Sequence, residues 1–275
     1  MPSILITGDK GFIGSHLSDA FGQSVGYDLK DGKDIRNRMA LDQLFETNHF
    51  DTVIHCAALT GVRRGEAYPE EYLSTNVIGT KNLVDLSEKY GVKHFIHFSS
   101  SSVYGEAGAR RLSEDDPLEP NSIYGMSKLT AEKLVQRSNL DYTIIRPFTV
   151  YGDYGRPDQV LEKWINQANT GKPVSFYGEG NTGRGYTYIE DLILGLEAII
   201  ILRAVGIFNL GGSEYITLSE LWELCGKPSK KYSPMPEGDR VGIYADTCKA
   251  RDVLLWEPKT KIKEKIPEIW QKRVK

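Results

Sequence analysis

The sequence predicts an α/β protein in which a doubly wound parallel sheet is joined to a smaller C-terminal lobe. Three observations predict this class: short β-branched runs, helical segments that alternate with them, and a glycine-rich turn after the first run. The predicted strands are residues 3–7, 25–27, 52–54, 94–98 and 143–145. Apolar residues recur at helical spacing in the intervening segments 13–21, 41–45, 77–86 and 129–135.

The regular alternation ends after Pro147, where glycine, proline and tyrosine become frequent. We expect the first domain to comprise residues 1–148, with residues 187–212 returning to it through a strand at 207–209. Residues 149–186 and 213–275 then form the smaller lobe. The longest apolar stretch, Leu192 to Leu202, is shorter than the about 20 residues of a membrane span and is predicted to be a buried helix.

The composition is that of an ordinary folded protein, with 40% hydrophobic and 26% charged residues in a chain of 275. A net charge of -3 provides no overall attraction to nucleic acid or to an anionic membrane, so neither partner is expected. The cysteines, Cys56, Cys225 and Cys248, are far apart and odd in number, which indicates reduced thiols and no metal site. The first strand begins at Ser3 without a leader, and we expect a cytoplasmic location.

A glycine triplet, Gly8, Gly11 and Gly14, lies between the first strand and the first helix. Such glycines allow a tight turn, let the backbone approach a pyrophosphate, and place it at the helix N-terminus. Asp28 follows the second strand about twenty residues later, where a carboxylate binds ribose hydroxyls and repels a 2′-phosphate. The pattern favours NAD over NADP; the alternative is a glycine-rich turn with a surface aspartate.

Tyr124 and Lys128 are four residues apart and share one face of a predicted helix. A neighbouring ammonium stabilises a phenolate, so the pair can serve as a general base, although such spacing also arises by chance. The serine run 99–102 ends the fourth strand, the edge at which ligands bind in parallel sheets. A hydroxyl there can contact the same substrate oxygen, or the run can simply cap its own backbone.

The motifs together resemble the extended short-chain dehydrogenase/reductase family of NAD-dependent nucleotide-sugar epimerases and dehydratases, which includes proteins like UDP-glucose 4-epimerase. The matching segments are the glycine turn 8–14, His55 to Ala58, the run SSSSVYG at 99–105, YGMSK at 124–128, Arg146 to Phe148, 177–191 and 238–246. The resemblance covers nearly the whole chain. It implies a Rossmann-type first domain and a C-terminal lobe that binds the substrate.

The resemblance also implies roles for individual residues. The implied catalytic residues are the base Tyr124, Lys128, which also holds the nicotinamide ribose, and Ser100. The implied cofactor residues are Gly8, Gly11, Phe12, Ile13, Gly14, Asp28, Asp34, Ile35, Ala57, Ala58, Asn76, Tyr124 and Lys128. The implied substrate residues are Ser100, Ser101, Tyr124, Thr149, Tyr177, Arg184 and Arg240. The resemblance further suggests a homodimer through helices near 76–90 and 124–137.

Within that family, Ser101 and Ser102 occupy positions where dehydratases carry acidic residues. The resemblance therefore favours C4 epimerisation of a nucleotide sugar, of the UDP-glucose and UDP-galactose type, through a transient 4-keto intermediate. Thr149 replaces an asparagine that often binds the diphosphate, which leaves the nucleotide and sugar open. The alternatives are an NAD-dependent reductase, dehydrogenase or dehydratase of a nucleotide-linked sugar, and a non-catalytic dinucleotide sensor.

Overall fold

A computed structural model describes residues 3–106, 108–212, 214–234 and 242–275 of the chain. The chain forms two compact units, each built from segments that are separate in sequence. The first unit contains Met1–Gly105, Pro117–Pro147 and Leu196–Phe208. The second unit contains Glu106–Asp116, Phe148–Gly195 and Asn209–Lys275.

The described residues form the following strands and helices. The strands are β1 (Ile4–Thr7), β2 (Val25–Tyr27), β3 (Thr52–His55), β4 (His94–Phe98), β5 (Arg111–Leu112), β6 (Tyr142–Pro147), β7 (Val150–Tyr151), β8 (Val174–Tyr177), β9 (Gly183–Gly185), β10 (Thr187–Tyr188), β11 (Gly206–Leu210), β12 (Tyr215–Thr217), β13 (Lys230–Ser233) and β14 (Tyr244–Ala245). The α-helices are α1 (Phe12–Phe21), α2 (Arg38–Thr47), α3 (Val62–Ala67), α4 (Pro69–Tyr72), α5 (Thr80–Lys89), α6 (Ile123–Gln136), α7 (Val160–Asn169), α8 (Ile189–Leu202), α9 (Leu218–Leu224), α10 (Cys248–Leu254) and α11 (Ile262–Arg273). Short 3-10 helices span Leu29–Asp31 and Ser101–Tyr104, and a π-helical segment spans Leu73–Gly79.

The first unit is organised around a six-stranded sheet of order β11-β6-β4-β3-β1-β2. Parallel pairing joins β2 to β1, β1 to β3, β3 to β4 and β4 to β6. The first strand of the chain, β1, lies inside the sheet, and later strands are added on both sides of it, as in a doubly wound sheet. The predicted α/β class is confirmed, and the carboxyl ends of β1, β3 and β4 lie along one edge of the sheet.

The core of the first unit lies between the sheet and its helices. Its strands are apolar on both faces because helices cover the sheet, as is typical of parallel sheets. The fully buried members of this core include Leu5, Leu41, Phe45, Val53, Leu83, Phe95, Val135 and Ile144. Four of the predicted strands and three of the predicted helical faces contribute to this set, which explains why hydrophobic periodicity alone locates these elements.

The second unit contains short strand pairs in place of a large sheet. The pairs are β7 with β10, β9 with β12, β8 with β13 and β5 with β14. Its aromatic residues pack together, with Trp164 stacked on Phe176 and Trp222 edge-on to the same ring. Burial of Phe176 in this cluster assigns it to packing.

The apolar stretch 192–202 lies in α8, and the prediction that it is buried is wrong for part of the helix. Leu192, Leu196 and Ile199 are buried, whereas Ile201 is 79% and Leu202 51% exposed. An apolar stretch longer than one helical face needs must expose some of its members. Among the described residues, no helix has the length and apolarity required to cross a membrane.

Candidate active site

The turn between β1 and α1 requires glycine for steric reasons. Gly8 has φ +74°, and a Cβ atom there would lie 2.7 Å from the backbone nitrogen of Ala57. A Cβ atom on Gly14 would lie 2.0 Å from the carbonyl oxygen of Gly8. Gly11 closes the turn by donating its N–H to that same oxygen at 2.9 Å. The glycines therefore bring the turn, the first turn of α1 and the loop after β3 into close contact.

Asp28 ends β2 and is buried beside the glycine turn. One carboxylate oxygen accepts the backbone N–H of Lys10 at 3.1 Å, and the other accepts the N–H of Lys30 at 2.8 Å. These bonds hold the carboxylate in one orientation. Because a carboxylate offers about four lone-pair positions, Asp28 retains the capacity to accept hydroxyl donors.

A cavity of about 390 Å³ opens at this edge of the sheet. The predicted cofactor residues that line it are Gly8, Gly11, Asp28, Asp34, Ile35, Ala57 and Ala58. The lining also includes Tyr27, Lys33, Arg36, Cys56, Leu59, Arg64 and Thr75, which were not predicted. The predicted residues Phe12 and Ile13 begin α1 directly behind this turn, and Gly14 packs against it.

Asn76, predicted as a cofactor residue, lies in the π-helical segment and is buried. Its side chain bonds both backbone groups of Leu59, accepting the N–H at 2.8 Å and donating to the carbonyl at 3.0 Å. Its amide also donates to Ser127 Oγ at 2.9 Å, and Ser127 donates to the carbonyl of Tyr124 at 2.8 Å. Asn76 thus connects the loop after β3 to the first turn of α6.

Helix α6 carries Tyr124 and Lys128. Ser122 caps its N-terminus by accepting the N–H of Gly125 at 3.1 Å, which fixes where the helix begins. Both functional side chains are buried, Tyr124 at 9% and Lys128 at 2% exposure. The rings of Tyr72 and Tyr124 pack edge to face, and their centroids are 6.3 Å apart. The i, i+4 pair is therefore held inside the first unit.

The environment of Lys128 favours loss of its proton. Burial lowers the pKa of its ammonium to about 8, while Cys56 and Glu132 partly oppose that shift. His55 and His97 lie near the ammonium, and burial holds the pKa of each imidazole well below its ordinary value. The imidazoles beside Lys128 are therefore neutral and add no positive charge next to its ammonium.

The serine run follows β4 and forms the start of a 3-10 helix. Ser100 Oγ caps this helix by accepting the N–H of Ser102 at 3.1 Å. A Cβ atom on Gly125 would lie 2.6 Å from the carbonyl oxygen of Ser102, so glycine in the YGMSK segment lets the run pack onto α6. The structure therefore brings Ser100 and Ser101 to the helix that carries Tyr124.

A buried ion pair behind the serine run was not predicted. Arg146 donates to both oxygens of Glu132, at 3.0 and 2.8 Å, and to the hydroxyl of Tyr104 at 2.9 Å. Ser99 donates to the same carboxylate. Burial opposes the charge on Arg146, but these bonds raise the pKa of its guanidinium. Glu132 lies one helical turn after Lys128, and that spacing is the signal that could have identified it.

The remaining predicted substrate residues belong to the second unit. The carbonyl of Thr149 accepts the N–H of Thr187 at 2.9 Å. Tyr177 ends β8, where its hydroxyl accepts a hydrogen bond from Lys163. Arg184 is half-buried in β9 and opposite Ile216 of β12. Arg240 lies outside the described residues.

The residues at the cavity fit NAD. Helix α1 begins at Phe12, and its N-cap residue, Gly11, has no side chain to cap it, so its first N–H groups are suited to an anion such as a pyrophosphate. Gly8 and Gly14 keep the approach free of side chains. Asp28 is oriented for ribose hydroxyls, and Ile35 supplies an apolar wall for a flat ring. The geometry thus provides separate contacts for phosphate, sugar and base.

Comparison with known proteins supports this interpretation. Residues 4–211 match the model of the NAD-dependent epimerase/dehydratase family, which confirms the predicted resemblance and the predicted cofactor. A UDP-glucuronate 4-epimerase of Thermodesulfobacterium geofontis is 34% identical, with 94% of this chain and 92% of that protein covered. A UDP-glucose 4-epimerase of Halalkalibacterium halodurans is 31% identical, with 94% and 91% covered.

Solved structures show the same similarity. UDP-glucuronic acid 4-epimerase of Bacillus cereus, in complex with NAD, superimposes with a TM-score of 0.84 at 29% identity, and 99% of this chain and 100% of that chain are covered. UDP-glucose 4-epimerase of Thermotoga maritima, with UDP-glucose, superimposes with a TM-score of 0.88 at 27% identity and the same coverage.

Proposed function

Because the chain belongs to the NAD-dependent epimerase/dehydratase family, we propose that it is an NAD-dependent isomerase that interconverts the C4 epimers of a UDP-sugar. The observation that carries the proposal is the buried pair of Tyr124 and Lys128 on α6, packed beside the serine run. Relatives named as 4-epimerases align over almost the whole chain.

In this proposal, Tyr124 accepts the proton of the sugar 4-hydroxyl, and the adjacent ammonium of Lys128 stabilises the phenolate. When bound, NAD would serve as the hydride acceptor and donor for C4, and the 4-keto sugar would turn between the two transfers, so that no net oxidation occurs. Ser100 hydrogen-bonds the same sugar oxygen, and Lys128 also holds the nicotinamide ribose. Thr149, Tyr177, Arg184 and Arg240 are proposed to bind the nucleotide and sugar.

Two substrate pairs deserve separate tests. UDP-glucose and UDP-galactose follow from the resemblance and from the Halalkalibacterium relative. UDP-glucuronate and its C4 epimer are favoured by the Thermodesulfobacterium relative and by the hydroxyls of Ser101 and Ser102 beside Ser100. Hydroxyl groups donate hydrogen bonds to a carboxylate without adding a charge of their own.

The test is a proton NMR time course with each UDP-sugar and catalytic NAD, with absorbance at 340 nm recorded in parallel. Interconversion without net NADH supports the epimerase and identifies its sugar. Stoichiometric NADH would instead show a dehydrogenase, and a 4-keto-6-deoxy product a dehydratase. Bound NAD without any turnover of these sugars would favour the sensor alternative.

Substitution of the proposed base provides a second test. We expect Tyr124→Phe to lower kcat by at least about 100-fold, the lower end of what a general base contributes, while NAD remains bound. Tyr142→Phe is the matched control, because Tyr142 is a half-buried tyrosine of β6 in the same unit. Full activity of Tyr124→Phe would exclude the phenol as the base.

We also propose that the protein is a homodimer. Leu73, Ile78 and Met126 are between 43% and 51% exposed, and Ile78 and Met126 lie on the segments that the resemblance assigns to a dimer. Exposed apolar side chains on two neighbouring helical segments favour a self-complementary helical interface. Light scattering after size-exclusion chromatography would test this, and Ile78→Glu should shift a dimer to monomers.

A cytoplasmic location is proposed from the cysteines. Cys56, Cys225 and Cys248 are all free thiols in the structure. Free thiols persist in a reducing compartment, whereas oxidising compartments favour disulfides. Subcellular fractionation of the native host with detection of this chain would test the location.

A further inference from the structure

Charged residues lie next to Asp28, which lines the cavity. Lys10 belongs to the glycine turn, and Lys30 and Asp31 belong to the 3-10 helix after Asp28. The carboxylate of Asp28 is already bonded to the backbone N–H groups of Lys10 and Lys30. The turn and the 3-10 helix are therefore joined at the carboxylate that selects the ribose.

The lysine side chains of this region have different partners. Lys30 Nζ donates to the carbonyl of Lys10 at 2.6 Å, and Lys33 Nζ donates to the carbonyl of Gly26 at 3.1 Å. Lys10 Nζ instead forms an ion pair with the carboxylate of Asp31. Among the described residues of this cluster, Lys10 is the lysine whose charge is matched by a carboxylate.

Lys10 and Asp31 remain partly accessible, at 46% and 35% side-chain exposure. Asp31 is also bonded through its backbone N–H to the carbonyl of Asp28 at 3.0 Å. The ion pair therefore lies immediately beside Asp28. The backbone N–H of Lys10 is bonded to the carboxylate of Asp28, so its ammonium belongs to the residue next to the proposed ribose contact.

We propose that Asp31 is a second determinant of cofactor selectivity, acting by holding Lys10 in an ion pair beside Asp28. Asp28 repels a 2′-phosphate directly, whereas Asp31 neutralises the ammonium of the lysine whose own N–H is bonded to Asp28. Specificity of this kind depends on disfavouring the competitor as well as on binding the preferred ligand. The inference rests on the NAD site of the proposed function, and it concerns the discrimination between NAD and NADP.

The charges nearby make this arrangement sensitive to the loss of one carboxylate. Asp9 lies in the same turn, where burial raises the pKa of its carboxyl and the neighbouring carboxylates of Asp28 and Asp31 add to the rise. Within the part of the chain that the structure describes, Lys10 is ion-paired with Asp31, and removing that charge takes away this ion pair. A phosphate accepts such an ammonium in a charge-assisted hydrogen bond.

The experiment is a calorimetric titration of NAD+ and NADP+ into nucleotide-free protein at low ionic strength. For Asp31→Asn we expect the Kd of NADP+ to fall about fivefold, because the partly exposed ammonium of Lys10 is released from its ion pair. The Kd of NAD+ should change less than about twofold. The gain should shrink as salt is added, because exposed charges are screened.

Two variants identify the source of the effect. Asp42→Asn removes a carboxylate that is paired with Lys89 at 2.7 Å elsewhere in the same unit, and it should leave both Kd values unchanged. Lys10→Met in the Asp31→Asn background should abolish the gain in NADP+ affinity. An unchanged ratio of Kd values in Asp31→Asn, or a gain that persists without Lys10, would overturn the proposal.

The readout needs no sugar, so it separates this inference from the proposed activity. Normal NAD+ binding without epimerisation would contradict the proposed function. The titration of Asp31→Asn would still test the role of Asp31. Epimerase activity with equal NADP+ discrimination in wild type and Asp31→Asn would contradict only the role of Asp31. Retained NAD+ binding also shows that Asp31→Asn has folded.

Discussion

Two buried cations in the first unit have opposite environments. Arg146, on β6, meets Glu132 through two hydrogen bonds and Tyr104 through a third. Lys128, one turn before Glu132 on α6, has burial as the main influence on its charge, and its pKa falls to about 8. The pKa of the arginine rises and that of the lysine falls, although both side chains are almost inaccessible to solvent.

These two environments indicate which buried charge is available for chemistry. A charge that is matched by a bidentate partner is held in one state and one place, so it orders its surroundings. A charge that is desolvated and less completely matched is stabilised by any ligand that brings oxygen atoms to it. Arg146 is thus suited to position the serine run, and Lys128 to meet a ribose and a phenolate.

The largest effect on stability is expected from breaking the matched pair. Arg146→Met leaves the Glu132 carboxylate buried without its partner, and we expect unfolding free energy to fall by about 3 to 5 kcal/mol. Urea denaturation followed by circular dichroism measures this change. The same variant should reduce turnover, because Tyr104 loses the donor Arg146, and the Glu132 carboxylate that accepts from Ser99 loses the guanidinium that orients it.

The double variant Arg146→Met with Glu132→Leu is the control for that prediction. Replacing a buried ion pair by apolar side chains of similar size is often neutral or stabilising, so most of the lost stability should return. Turnover should remain low, since the serine run would still lack its polar support. A double variant no more stable than Arg146→Met would show that the arginine acts through packing.

Lys128→Met should have the opposite effect on stability. The lowered pKa of Lys128 means that folding disfavours its charge, so its removal should stabilise the nucleotide-free protein by about 2 to 3 kcal/mol at pH 7. The gain should be full below about pH 8 and should disappear as the pH rises toward 10.5, the ordinary value for lysine. Turnover should be lost across the same range.

Lys133→Met is the matched control for this variant. Lys133 lies on the same helix and is exposed, with Gln136 as its hydrogen-bond partner at 3.0 Å. Its replacement should change the unfolding free energy by less than about 0.5 kcal/mol, as for most surface substitutions. Equal changes in the unfolding free energy of Lys128→Met and Lys133→Met would show that burial of the Lys128 charge does not destabilise the protein.

Buried histidines of the first unit extend the comparison to pH. Burial lowers the pKa of His55, His97 and His94, so the unfolded chain binds more protons than the folded protein below pH 6.5. Stability should therefore fall as the pH decreases through this region, with a limiting slope of about 1.4 kcal/mol per pH unit for each histidine that stays neutral. Urea titrations between pH 7.5 and 5.5 measure the slope.

His97→Phe tests how much of the pH dependence of stability comes from His97. Neither ring nitrogen of His97 has a hydrogen-bond partner among the described residues, so an apolar ring should replace it without leaving a polar group unpaired. His55, by contrast, is bonded to Thr7 at 2.7 Å and Thr80 at 2.9 Å and is kept unchanged. An unaltered slope in His97→Phe would mean that His97 is not held neutral.

Local patterns in the sequence were enough to predict the sheet and the candidate residues. The glycine turn, the alternating strands and helices, and the i, i+4 spacing of Tyr124 and Lys128 each depend on residues close together in the chain. The observed sheet of the first unit confirms the fold class. The second unit was harder, because its short strands pair across long separations and show little periodicity.

Short-range patterns therefore specify the elements of the first unit and the residue types that carry chemistry. The pairing of charges and polar groups arises from the packing of the folded chain: Arg146 with Glu132, Lys10 with Asp31, and Asn76 with Ser127. The cause is the separation along the chain over which each kind of interaction acts. Backbone propensity and amphipathic spacing act over a few residues, whereas hydrogen bonds and ion pairs join whichever groups the packed core brings within about 3 Å.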